Sequence, residues 1–199
     1  MATGLIVSAH CDVCPHCQGL LAEFNQSFAH QAFSATQSFA GMEDMLSAIT
    51  ALEPEVKTQV QAAPIELELD GRRFALPRAL EPLARNVSSW SHLVGKLWQA
   101  NVEIEDGVQG HFIYMAKGGK VPEHTHKGTE LTLVIDGEFE DDKGVYRNGD
   151  FVALDSAHTH APMSNVDEGC LVFSIVDQPL HFTSGLARLL NPFSHLFFK

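Results

Sequence analysis

The segment from His124 to Gly137, HTHKGTELTLVIDG, constrains this chain more than any other. His124 and His126 stand one residue apart, and Glu130 follows at the head of the apolar, β-branched run Leu131-Thr132-Leu133-Val134-Ile135. In a strand, residues i and i+2 share a face, so the two imidazoles can address one ion, and Glu130 keeps their parity. Two nitrogen donors and a carboxylate from one short stretch suit zinc, iron, manganese or nickel. A histidine pair in a strand is usually structural. The added carboxylate of the same parity turns the pattern toward a metal.

Charge and cysteine usage narrow the setting. The formal net charge is -12 with 13 Lys and Arg in 199 residues. Phosphate binding needs clustered cations, so no direct nucleic-acid role is expected. No apolar run reaches the roughly 18 residues a membrane span requires, and the N-terminus lacks a secretory pattern. A cytoplasmic protein with no membrane association is therefore expected. A composition of 45% hydrophobic residues supports one sizeable core and a small second unit. Cys11, Cys14 and Cys17 crowd together, which points to metal or redox chemistry rather than a disulfide scaffold. Cys170 is expected in a buried strand.

In chain order, Leu20, Leu21, Phe24 and Phe28 recur at helical spacing, and a helix is predicted from near Cys14 or Pro15, with the proline in its first turn. His10, Cys14 and Cys17 are spaced 4 and 3 apart, which on a helix gathers them on one face as a thiolate-imidazole zinc set. Cys11, His16 and His30 are each available as a fourth ligand, and the sequence leaves the choice open. A redox dithiol is the rival reading, but no thioredoxin-like strand precedes the pair. A second helical stripe comprises Met42, Met45, Leu46, Ile49 and Leu52. Two short helices with narrow stripes bury little alone and need a metal, a third helix or a partner. Residues 1–53 are thus read as a helical zinc-binding domain and 54–64, bracketed by Pro54 and Pro64, as the linker.

Residues 65–199 read as short strands. Ile65 to Leu69 alternates, Asp70-Gly71 marks a turn, and Phe74 to Leu76 returns. Further strands are expected at Leu97 to Ile104, His111 to Lys117, Thr129 to Ile135, Gly137 to Glu140, Asp150 to Leu154 and Cys170 to Val176. Strands at this density make the chain mainly β, an antiparallel barrel or sandwich. Gly185 to Phe198 reads as a C-terminal helix, interrupted at Pro192, that covers an edge or end of the barrel. Either His158 or His160 has the parity to complete the barrel's metal set.

Gly118, His124, His126, Glu130 and Gly137 carry the spacing of the first cupin motif. The second motif aligns as Gly149, Asp155, Ala157, His160 and Ser164, with its histidine kept and its Pro, Gly and Asn positions changed. On that resemblance the fold is a cupin, an antiparallel double-stranded β-helix, and His160 is the ligand with His158 in reserve. The helical motif followed by a cupin resembles the ChrR family of zinc-dependent anti-sigma factors. The likeness implies N-terminal zinc ligands at His10, Cys14 and Cys17. It implies cupin ligands at His124, His126, Glu130 and His160 for zinc or another divalent transition metal. The family's further histidine, from an upstream helix, has no counterpart in the nine residues before His10, so the helical domain is expected to lack its first helix.

The resemblance implies an anti-sigma factor that sequesters an extracytoplasmic-function (ECF) sigma factor and releases it under singlet oxygen or organic hydroperoxide stress. A homodimer through the cupin domain is compatible with it. The alternative class is a dioxygenase-like metal-dependent cupin enzyme acting on a small molecule, with Tyr114, His111 or His158 as acid or base.

Overall fold

The computed structural model describes residues 2–34, 41–53, 65–93, 95–105 and 107–196. Helix α1 spans Ala2–Val13, α2 Pro15–Phe33 and α3 Met42–Thr50. The helix predicted from near Cys14 or Pro15 is α2, while the helical spacing of His10, Cys14 and Cys17 runs across two helices, with His10 on α1 and Cys17 on α2. Pro15 has no N–H, and its ring disfavours the helical conformation of the residue before it, so Cys14 becomes the break and Pro15 restarts the helix at its first position. The amide of Cys14 still donates to the carbonyl of His10 at 2.9 Å, which preserves helical spacing across the break.

Strands β1 (Glu66–Leu69) and β2 (Arg72–Ala75) form a hairpin turned at Asp70-Gly71. The remaining strands are β3 (Ser91–His92), β4 (Leu97–Glu105), β5 (Val108–Met115), β6 (Gly119–Lys120), β7 (His124–Thr125), β8 (Glu130–Glu140), β9 (Val145–Arg147), β10 (Phe151–Leu154), β11 (Thr159–His160), β12 (Met163–Ser164), β13 (Cys170–Val176) and β14 (His181–Phe182). The main antiparallel sheet runs β3-β4-β5-β13-β8-β12-β6, with β9 and β10 also paired to β8. A smaller sheet runs β11-β7-β14. The fold is mainly β, a curled antiparallel sheet with N-terminal helices.

The two strands expected at Thr129 to Ile135 and Gly137 to Glu140 are one, β8. Gly137, paired with Cys170 close to the register shift between Leu171 and Val172, is accommodated at φ 77°. A β-carbon at Gly137 would run into the carbonyl of Gly169, so only glycine fits there.

Alternation gives the sheet two apolar faces. Ile113, Met115, Val134, Val172 and Cys170 line the inner one. Phe112, Leu133, Leu171 and Phe173 form the outer one, covered by β1 and β2 and by Ile6 and Ala9 of α1. The compact units are accordingly Met1–Cys17 with Pro64–Lys199, and Gln18–Ala63, so α1 groups with the barrel rather than with the other helices. The expected linker at 54–64 lies outside the described residues. The C-terminal segment Gly185–Leu196 forms 3₁₀ turns with Pro192 inside, in place of an α-helix. It is tied to β14, where the Asn191 amide bridges the N–H and C=O of Phe182 at 2.7 and 3.0 Å.

Candidate metal centres

β7 and β11 place His124 directly opposite His160. His126 follows β7 immediately, and Glu130 opens β8. The donor atoms of these four residues all lie within 4.8 Å of one another. Nε2 of His160 is 3.0 Å from Nε2 of His124 and 3.3 Å from that of His126. Oε2 of Glu130 is 2.8 Å from Nε2 of His126 and 3.6 Å from that of His160.

The outer contacts decide what these atoms carry. Nδ1 of His124 lies 2.8 Å from the carbonyl of Pro122, an acceptor, so the proton sits on Nδ1 and Nε2 is a bare lone pair. Nδ1 of His160 meets Oδ2 of Asp141 at 3.2 Å, with the same result. With both rings neutral, two lone pairs face each other, an arrangement that calls for a cation between them. A proton is a poor one, because burial, reinforced by His160, pushes His124 down to about 4. Burial pushes Glu130 up, but its contacts with His126 and His160 together outweigh this and hold it well below the usual carboxylate range. Its Oε1 accepts from Thr132 at 2.8 Å and Ser174 at 3.1 Å. Oε2 is buried without a hydrogen-bond partner among the described residues. Three imidazoles and a carboxylate fit a divalent transition metal.

Beside the ligands lies a cavity of about 40 Å³, walled by Ile113, Met115, Phe139, Val152, Leu154 and Val172. A water-sized probe needs about 10–15 Å³, so the space admits a guest of only a few heavy atoms.

The candidate acids and bases separate. His158 is turned outward to Asp155, 2.8 Å away, and does not join the cluster. Tyr114 donates to the carbonyl of Glu168 at 3.0 Å and packs tilted against Phe74 on the outer face. His111 is buried, pairs in register with Ser174, and contacts Asn101 at 3.0 Å.

Asp141, Thr132 and Ser174 escaped the sequence reading. Thr132 shares the parity of Glu130, and Ser174 is a lone hydroxyl in an apolar strand, so both left a faint signal. Asp141 left none, since its reach to His160 follows from the hairpin turn in which its Oδ1 accepts from the amides of Lys143 and Gly144. Asp141→Asn would keep those turn bonds and present an amide N–H to His160, favouring the tautomer that blocks Nε2. A loss of metal affinity of about 10–100-fold is expected with every ligand intact, measurable by chelator competition. Unchanged affinity would show that Asp141 does not orient His160.

The second cluster brings together His10, Cys14 and Cys17, again with donor atoms within 4.8 Å. Nε2 of His10 is 3.3 Å from Sγ of Cys17. A backbone hydrogen bond from Cys17 leads the effects that lower the Cys14 thiol, whereas desolvation and then Cys14 itself raise Cys17. One thiolate is therefore prepared for a metal, and the nitrogen and sulfur donors suit zinc. Cys11, His16 and His30 do not join the group.

Residues 85–178 match the family described as ChrR Cupin-like domain, a span that contains all four barrel residues. An anti-sigma-E factor ChrR from Cereibacter sphaeroides is 29% identical over 199 residues, covering 96% of this chain and 88% of its own. A structure of Rhodobacter sphaeroides SigE in complex with the anti-sigma ChrR contains a chain similar in fold, with a TM-score of 0.60 at 20% identity and 87% of each chain covered. This chain therefore carries a ChrR cupin-like domain, within a likeness to an anti-sigma factor ChrR that extends along nearly all its length.

Proposed function

We propose that this chain is an anti-sigma factor, which sequesters an ECF sigma factor through the apolar stripes of α2 and α3 and releases it when the barrel's metal centre senses singlet oxygen or an organic hydroperoxide. The observation that carries this reading is that α2 and α3 bury none of their residues. Phe24 is 62% exposed, Phe28 65%, Leu46 60% and Ile49 56%. Large apolar side chains in that number mark a surface made to be covered. The sigma-factor complex of the structurally similar ChrR supports the choice of partner.

Zinc held by His10, Cys14 and Cys17 would fix the junction of α1 and α2. In the barrel, His124, His126, Glu130 and His160 would hold zinc or another divalent transition metal, whose bound form supplies open coordination positions for an oxidant or small ligand. Among the described residues no helix is long and apolar enough to cross a membrane, which agrees with action in the cytoplasm, where sigma factors meet polymerase. The charge of -12 complements a basic, DNA-binding partner and argues against direct binding of nucleic acid.

The test is pull-down and in vitro transcription with a candidate ECF sigma factor, comparing wild type with Cys14→Ser/Cys17→Ser. Wild type is expected to bind and repress, and the double variant to lose zinc and repression together. Failure of the wild type to bind or repress any such factor, with oxygen consumed in the presence of a small substrate instead, would hand the protein to the cupin enzymes.

A further inference from the structure

His10 belongs to α1, yet the group that orients it belongs to the barrel. Its Nδ1 lies 2.8 Å from the carbonyl of Gly149, in the turn between β9 and β10. A carbonyl accepts, so the proton sits on Nδ1 and leaves Nε2, the atom facing Cys17, free to bind a metal. The ring of His10 also leans on Phe151, the first residue of β10, with centroids 5.9 Å apart. Gly149 has φ 88°, and a β-carbon there would lie 3.6 Å from Cγ2 of Val13, so the turn rests against the end of α1. Helix α1 is itself fixed on the barrel by buried Ile6 and Ala9 and by Asp12, whose Oδ2 accepts from the amide of Ala79 at 2.7 Å.

The same turn is anchored in the strand that carries a barrel ligand. The amide of Gly149 donates to the carbonyl of Val134 at 2.9 Å, and the amide of Val134 to that of Asp150 at 3.0 Å. Along β10, Phe151 pairs with Leu133 at one end and Leu154 with Glu130 at the other. Three residue steps of strand span about 10 Å. The support of His10 and the carboxylate of the barrel centre thus sit on one short paired ribbon.

We propose that the N-terminal metal site is composite, with its orienting half supplied by the β9–β10 turn, and that occupancy of the barrel centre reaches it along the β8–β10 ribbon. The inference rests on reading both clusters as metal sites, and it is independent of the identity of the protein partner. Displacement of Glu130 shifts β8 and β10 together because they share a ladder, and the turn at its end sets the angle at which His10 meets Cys17. By linkage the effect runs both ways.

Cobalt(II) separates the two sites in the full chain, because thiolate-to-cobalt charge-transfer absorption arises where cysteine is a ligand, and the barrel cluster contains none. Gly149→Ala is expected to weaken cobalt binding at the cysteine site by about 10–100-fold while the barrel keeps its own cobalt spectrum. His124→Ala, on a residue remote from α1, is expected to change affinity at the cysteine site by about 5-fold or more, a change that disappears in the double variant. Phe151→Leu, which removes the ring beneath His10 and keeps the backbone turn, serves if Gly149→Ala does not fold, and is expected to weaken the cysteine site in the same direction. Unchanged affinity in the turn variants overturns the composite site. Unchanged affinity in His124→Ala, or a change that survives Gly149→Ala, overturns the transmission. Absence of any thiolate-cobalt band in the wild type would instead refute the metal-site reading beneath it.

Discussion

His126→Ala is expected to empty the barrel centre and to leave a protein that no longer gains stability from metal. Structural zinc sites bind with about 10–16 kcal/mol. Shared among four donors, that is about 3 kcal/mol per ligand, so loss of one should weaken binding by about 100-fold or more. At a metal concentration of about 100 times the dissociation constant, the wild type gains about 2.7 kcal/mol that the variant forfeits. Elemental analysis and a melting curve with and without metal check both parts. A variant that retains a full complement of barrel metal would remove His126 from the ligand set.

The metal-free barrel should also be acid-labile, and the sign follows from its histidines. His124 and His111 are each pushed from the usual 6.5 to about 4, His111 by burial and His124 by burial and then His160. The unfolded chain takes up protons at both positions where the folded one does not, so stability is complete above about pH 6.5 and declines as the pH falls toward 4. Glu130, held well below its usual 4.5, adds stability that is full above about pH 4.5 and is lost as the pH falls further. Urea midpoints should fall steadily across this range, and a midpoint independent of pH would contradict the burial of neutral imidazoles. Bound metal sharpens the same trend, since protons compete for its ligands.

The barrel was legible because its signals are local. His124, His126 and Glu130 are close in sequence, and the turn from β7 to β8, rather than parity along one strand, brings their donor atoms together, while the turn residues Asp70, Gly71 and Gly137 punctuated the strands where the chain reverses or bulges. What escaped depends on contacts distant in sequence. Asp141 meets His160 across 19 residues and Ser174 meets Glu130 across 44, and no spacing rule foretells either pairing. The helix start near Cys14 and Pro15 was legible, because proline restricts the residue before it and suits a first turn. The placement of α1 on the barrel left no mark in its own pattern, since burial of Ile6 and Ala9 depends on an outer sheet face built from residues 67 to 175.

Charging the exposed stripe should separate partner capture from folding. Phe24 and Phe28 on α2 and Leu46 and Ile49 on α3 are more than half exposed, so aspartate at one of them, as in Phe28→Asp or Leu46→Asp, should change folding stability by no more than about 0.5 kcal/mol. If these side chains anchor a sigma factor, each is a hot spot of about 2–4 kcal/mol, and binding should weaken by about 30-fold to nearly 1000-fold. The added negative charge would not be the cause. The chain already carries -12, so against a basic partner one more carboxylate speeds encounter, and the loss must appear as faster dissociation. Leu186→Asp supplies the control, because Leu186 is 85% exposed in the C-terminal 3₁₀ segment, away from both helices in sequence. Kinetics that show the helix variants binding as tightly as the control would mean that the stripes face something other than the sigma factor, whatever the barrel senses.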